Sequence, residues 1–261
     1  MSALYIIGSP IGNLEDLSFR ALRILKEVDL VLCEDTRVTK KLLDHYGIKT
    51  QTLSYHQHSK LKKVEEIVQL LKEGRNLALV SDAGTPGISD PGNRLVEEVI
   101  NRSVDELCSS PPSAGAQVVD ELCSSPPSAG AQVGDGVKVI PIPGPSAVTA
   151  AASISGFPMD KFIFMGFPPT KRKRKKFFEE MINSKYPVIF YESPYRIMKS
   201  LKELELEAKT YNLKPEIVVC RELTKKFETT YRGTIKEVIE KINPPAGGKI
   251  KGEFVVTVER K

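Results

Sequence analysis

Three loops punctuated by glycine and proline carry the strongest chemical signal in this chain: Gly8-Ser9-Pro10-Ile11-Gly12-Asn13, Ser81-Asp82-Ala83-Gly84-Thr85-Pro86 and Pro143-Gly144-Pro145-Ser146-Ala147. Each follows a short apolar run of strand character and precedes a segment of helical character. In an open parallel sheet, ligands bind outside the carboxyl ends of the strands, where small residues let a cofactor approach bare main-chain amides and carbonyls. Three such loops point to one cofactor crevice.

Their spacing excludes several familiar chemistries. A Walker phosphate loop needs Lys then Ser or Thr after its glycines, whereas Asn13 is followed by Leu14 and Glu15. The dinucleotide fingerprint fits poorly, since Gly8 and Gly12 flank a proline, although Glu34 at the end of the second strand mimics a ribose-binding acid and keeps a nicotinamide-dependent oxidoreductase as a weak alternative. No Gly-x-Ser-x-Gly elbow occurs. His45, His56 and His58 form neither a triad nor a metal spacing, and His56 and His58 read as polar loop residues. No metal is expected.

The second signal is charge. Net charge is +5, and the excess is concentrated in Lys171-Arg172-Lys173-Arg174-Lys175-Lys176, after the Gly166 to Pro169 turn and before a helical stretch from Phe177. Such a run is commonly a solvated helix start. Here, however, cations at a helix N-terminus oppose the macrodipole by a few tenths of a kcal/mol each, a placement that a polyanion would compensate. These six residues are therefore expected to bind RNA phosphates.

The elements that position these features alternate. Strands are expected at Ala3 to Gly8, Asp29 to Cys33, Leu77 to Val80 and Val137 to Ile142. Helices are expected at Ser18 to Glu27, Val38 to Tyr46, Lys60 to Glu73 and Asn93 to Asn101, with Ser18 and Asn93 as N-caps. This order implies an α/β domain with a mostly parallel sheet. After Ala147, strands at Phe162 to Met165, Val188 to Tyr191, Glu216 to Cys220, Thr229 to Gly233 and Glu253 to Val258 imply a mixed second sheet. The expected domains are 1–144 and 145–261. The first is interrupted by an exact tandem repeat, Val104 to Val118 recurring as Val119 to Val133, which reads as a surface excursion without catalytic role. Cys33 and Cys220 lie in apolar strands, Cys108 and Cys123 are repeat copies, and buried thiols are the simplest reading. No apolar run approaches the roughly 20 residues of a membrane span and no leader is evident, so a cytoplasmic protein is expected.

At Ser9 to Asp16, Cys33 to Arg37, Val80 to Gly92, Ile142 to Ala147, Phe190 to Arg196 and Arg221 to Lys225, the chain resembles the tetrapyrrole methylase superfamily, and within it the group acting on small-subunit ribosomal RNA. The resemblance covers nearly everything outside the repeat, which is foreign to the pattern. It implies a homodimer of two α/β domains, a class III methyltransferase, binding S-adenosylmethionine in the interdomain cleft. The implied reaction is 2'-O-methylation of a cytidine in the decoding region of 16S ribosomal RNA, within the 30S subunit. The implied cofactor contacts are Pro10, Asp82, Ala83, Gly84, Thr85, Pro86, Ser146, Ala147 and Tyr191, with Glu253 a further one.

Methyl transfer from a sulfonium is an in-line displacement, so positioning is expected to outweigh proton transfer. Glu34 and Asp35 can orient or deprotonate a hydroxyl, and Arg37 can grip a phosphate bidentately. Equally, the three can cap and salt-link the helix from Val38. Glu192 with Arg196, and Arg221 with Glu222, share that ambiguity. Because superfamily relatives methylate carbon atoms of tetrapyrroles, a precorrin-type C-methyltransferase stays as the alternative. A non-enzymatic RNA-binding module is weaker. The extended cations, with Lys225 and Lys226, favour RNA.

Overall fold

The computed structural model describes residues 2–56, 61–90, 92–109, 137–243 and 248–260. The chain divides into two compact units. One comprises Met1–Pro10 and Asp16–Gly144, the other Ile11–Glu15 and Pro145–Lys261.

The first unit is a fully parallel sheet of β1 (Ser2–Ile7), β2 (Leu30–Cys33), β3 (Thr52–Ser54), β4 (Leu77–Val80) and β5 (Val137–Ile142), in spatial order β3-β2-β4-β1-β5. Four helices separate the strands in sequence: α1 (Phe19–Glu27), α2 (Thr36–His45), α3 (Leu61–Lys72) and α4 (Gly92–Ser109). All four β4 residues are buried, as a strand covered on both faces requires. One apolar layer gathers Ile7, Val31, Val80 and Ile142 with Ala21, Ile24 and Leu25 of α1, and a second gathers Leu4, Leu32, Leu77 and Leu79 with Ile67 and Leu71 of α3. The chain moves from β1 outward to β2 and β3, returns to insert β4, then crosses to β5 on the far side of β1. The direction thus reverses around β1 and β4, and the carboxyl ends there form the topological switch point at which open α/β sheets bind ligands.

Ser18 caps α1, its hydroxyl accepting from the Ala21 amide at 3.1 Å. Asn93 does not cap α4. It lies inside the helix, and its Nδ2 donates to the Gly87 carbonyl at 2.8 Å. Helix α4 also continues past Asn101 to Ser109, six residues into the first repeat copy. The rest of the repeat, with Cys123, and His58 lie outside the described residues.

The second unit holds a mixed sheet, β6-β7-β10-β8-β9, made of β6 (Ile163–Phe164), β7 (Val188–Glu192), β8 (Glu216–Arg221), β9 (Thr229–Thr234) and β10 (Phe254–Glu259). β6 and β7 are parallel, while β10 pairs antiparallel with β7 and β8 and β9 antiparallel with β8. α6 (Arg174–Ile182), α7 (Ile197–Thr210) and α8 (Ile235–Ile242) cover one face around Phe178, Phe190, Leu201 and Val256. The alanine-rich α5 (Ala147–Ser155) covers the other, against Ile189, Val218 and Val255, joined by Ile11. Cys33 and Cys220 are buried, and burial pushes both thiols up, so neither is poised to react. Among the described residues, no helix is long and apolar enough to cross a membrane.

Candidate functional site

In the first unit the tips of β1, β4 and β5 are sewn together through main chain. Ser9 and Gly84 exchange two backbone hydrogen bonds, at 2.9 and 3.1 Å, and the Gly8 amide donates to the Ile142 carbonyl at 3.2 Å. The Ser9 hydroxyl lies within hydrogen-bonding distance of the carbonyls of Ser81 (3.0 Å) and Gly84 (3.2 Å), and Ser81 Oγ donates to Gly84 at 3.1 Å. Ser9 and Ser81 are buried, whereas Asp82 and Ala83, next along the chain, are exposed. The loop therefore leaves the core abruptly and turns its main chain outward. Gly84 at φ 83° and Gly87 at φ 90° occupy left-handed conformations that favour glycine. Further along, Asp90 Oδ1 accepts from the amides of Gly87 (2.6 Å) and Gly92 (2.8 Å), closing the turn that leads into α4.

The β2 tip joins this arrangement through Asp82, whose Oδ1 accepts from the Asp35 amide at 3.2 Å. Asp35 in turn caps α2, accepting from the Arg37 amide at 2.8 Å, and holds the Arg37 guanidinium in two bonds of 3.0 and 2.7 Å. These hydrogen bonds hold the Asp35 carboxyl down at about 2. Asp35 and Arg37 thus take up the capping and ion-pairing role. Glu34 differs. Burial first, then the charges of Asp90 and Asp82, push its carboxyl above the ordinary glutamate value. A carboxyl so placed takes up a proton more readily than a solvated one. Among the described residues, no group of His, Cys, Asp and Glu is arranged to hold a metal ion.

In the second unit, Ser146 precedes α5 but its hydroxyl makes no capping hydrogen bond. Tyr191 sits edge-on to Phe164 and Phe167, with ring centroids 4.9 and 5.4 Å apart. Both phenylalanines lie outside the motif strings that pick out Tyr191. Glu253 is otherwise engaged: its amide donates to Glu222 Oε1 at 2.9 Å, its carbonyl accepts from the Glu222 amide at 2.9 Å, and its carboxylate meets Lys225 Nζ at 2.8 Å. Its side chain nonetheless stays 77% exposed. Lys225 bridges Glu222 and Glu253, and its stem packs where a Cβ on Gly12 would stand, 2.3 Å from its Cγ. That explains the second glycine of the first loop and removes Lys225 from the expected basic surface. Arg221 donates to the Lys251 carbonyl at 2.8 Å and forms no ion pair with Glu222.

The basic run also needs correction. Arg174 is buried, donating to Glu203 Oε2 through Nε (2.8 Å) and Nη2 (2.6 Å), to the Pro169 carbonyl (2.7 Å) and to Ser200 Oγ (2.8 Å). Every arm of its guanidinium is used inside the fold, so it is unavailable to a phosphate. Ser200 passes the network to the buried Glu192 at 2.5 Å, and Glu192 pairs with Arg196 at 3.0 Å. The other five cations, Lys171, Arg172, Lys173, Lys175 and Lys176, are exposed, with Lys173 at φ 67° turning the chain into α6.

Residues 3–105 and 128–239 match the tetrapyrrole (corrin/porphyrin) methylases. The chain belongs to the tetrapyrrole methylase family. Within this family it is 38% identical to the ribosomal RNA small subunit methyltransferase I of Thermotoga maritima over 262 residues, covering all of both chains. The protein of that name from Vibrio cholerae is 41% identical over 256 residues, 98% of this chain and 76% of its own. The methylase fold recurs in diphthine synthase, with a TM-score of 0.64 and 11% identity over 99% of this chain and 90% of that one. The methyltransferase CobJ aligns with a TM-score of 0.59 and 15% identity over 99% and 93%.

Proposed function

We propose that this chain is an S-adenosylmethionine-dependent methyltransferase that 2'-O-methylates a cytidine of 16S ribosomal RNA in the small subunit, working in the cytoplasm as a homodimer. The observation that carries the substrate choice is the exposed set Lys171, Arg172, Lys173, Lys175 and Lys176, an extended cationic surface suited to ribose phosphate. Relatives named for the small-subunit ribosomal RNA, matched over 98% and 100% of this chain, support it.

The residues present fit the cofactor. A main chain that emerges from buried Ser81 into exposed Asp82 and Ala83, with no side chain larger than a methyl at Ala83, leaves amides and carbonyls approachable. When bound, S-adenosylmethionine supplies a methyl group already activated on a sulfonium. Pro10, Asp82, Ala83, Gly84, Thr85, Pro86, Ser146, Ala147, Tyr191 and Glu253 would hold it. Glu34 accepts the proton of the ribose hydroxyl. The exposed cations hold the neighbouring phosphates, fixing the hydroxyl in place. Orientation of this kind supplies ~7 to 11 kcal/mol, against the ~10² to 10⁴ in rate that a base contributes.

The test is an incubation with tritiated cofactor and, in separate reactions, unmodified small subunits and a reduced precorrin-type tetrapyrrole. Label is expected in RNA alone. Label in the tetrapyrrole, or in neither, overturns the reading.

A further inference from the structure

The second unit exposes two aromatic side chains, Tyr195 and Phe167, the latter also meeting Tyr191 edge-on. Arg196 Nη1 donates to the Pro168 carbonyl at 3.2 Å, tying the turn after β7 to the turn before α6. The chain neighbours of the two bonded residues are both exposed aromatics: Tyr195 at 93% and Phe167 at 50%. An exposed aromatic ring beside cations offers an unpaired base a face to stack on. The turn is rigid beneath them, because Arg174 donates to the next carbonyl, Pro169, and Glu192 fixes Arg196. From this clamped turn the chain runs directly into Lys171, Arg172 and Lys173.

We propose that Tyr195 and Phe167, with the exposed cations beginning at Lys171, form a platform for single-stranded RNA, on which unpaired bases stack while the lysines and Arg172 hold the backbone. The proposal rests on the RNA reading above and adds the form of the substrate. Base stacking on aromatic faces beside a cationic track distinguishes single strands from duplex, whose bases are already stacked and whose deep groove side chains cannot enter. Arg174 and Arg196 are positioning residues here. They hold the turn and touch no RNA.

The experiment measures binding of the whole protein to a short unpaired oligoribonucleotide and to a duplex of the same sequence, at several salt concentrations. Tyr195→Ala is expected to weaken single-strand binding about 10-fold, with a larger loss when combined with Phe167→Ala, while duplex binding and the salt slope stay unchanged. Tyr195→Trp should restore affinity, since it restores a stacking face. Lys171→Ala should instead reduce the salt slope by ~0.7 for the phosphate lost. Undiminished single-strand affinity in Tyr195→Ala, or an equal loss on duplex, overturns the platform. If the unaltered protein methylates small-subunit RNA while Tyr195→Ala binds normally, only the platform falls; if it neither binds nor methylates RNA, the functional reading falls with it.

Discussion

Gly8 and Gly144 pass so closely that a methyl group on Gly144 would lie 2.6 Å from the Gly8 carbonyl oxygen, and one on Gly8 would lie 2.8 Å from the Gly144 Cα. Adjacent parallel strands β1 and β5, in register at Ile7 and Ile142, deliver the two loops side by side. Neither glycine has a positive φ, so the demand is for space. Backbone cannot swing aside as a flexible side chain does. Gly144→Ala is expected to cost about 1 to 3 kcal/mol, read as a lower urea midpoint with unchanged slope. An unchanged midpoint would show that the loops yield freely.

Arg174 and Lys175 are neighbours in sequence with opposite duties. Removing the buried guanidinium strands Glu203 and Ser200, so Arg174→Ala should lose on the order of 3 kcal/mol of stability. Lys175→Ala should stay within about 0.5 kcal/mol and instead weaken RNA binding, most strongly at low salt. Chemical denaturation and RNA titration on the two variants separate these duties. Equal stability losses would contradict the assignment.

Much of this was legible in sequence, and the exceptions share a cause. The alternation of apolar period recovered β1, β2, β4 and β5, and closely spaced strands after Ala147 signalled the mixed sheet. The three-residue β3 escaped because Thr52–Ser54 is too short to show a period. Arg174 read as one of six equivalent cations, since only the fold brings Glu203, 29 residues away, against it. The pairing of Glu253 was hidden for the same reason, its partner Glu222 lying 31 residues back. Ser9 appeared only as part of a turn, yet its amide, carbonyl and hydroxyl all meet the β4 loop. Local spacing reveals faces and turns, whereas long-range hydrogen bonds decide which charge is spent inside.

Glu34 should impose a pH dependence on methyl transfer. In the proposed reaction its ionised form acts as the base, and its carboxyl is raised by burial and by Asp90 and Asp82, so the rate should fall as pH drops through a value above ordinary glutamate. Asp90→Asn removes one negative neighbour and should move that limb to lower pH. Glu34→Gln should abolish it and slow transfer by ~10² to 10⁴. Single-turnover rates across pH provide the check, and an unchanged profile in Glu34→Gln would remove Glu34 from the reaction.

The same shift has a consequence for folding. Glu34 binds its proton more tightly folded than unfolded, so its stabilising contribution is complete below the unfolded pKa and is lost as pH rises through the folded one. Asp35, held at about 2, behaves oppositely: its contribution is present above the unfolded value and is lost as pH falls toward 2. Melting temperatures should therefore show Glu34→Gln more stable than the parent at pH 8 but not at pH 4, and Asp35→Asn losing its deficit as the parent is acidified. The reverse order of either pair would contradict the shifts.

The most direct measurement is alkaline cleavage of 16S RNA recovered from unmodified small subunits incubated with the protein and S-adenosylmethionine. A ribose methyl blocks hydrolysis of the adjoining phosphodiester, so the account predicts one protected linkage, at a cytidine, absent when the cofactor is omitted. Uniform cleavage alongside methyl incorporation into a base, or no incorporation at all, contradicts it.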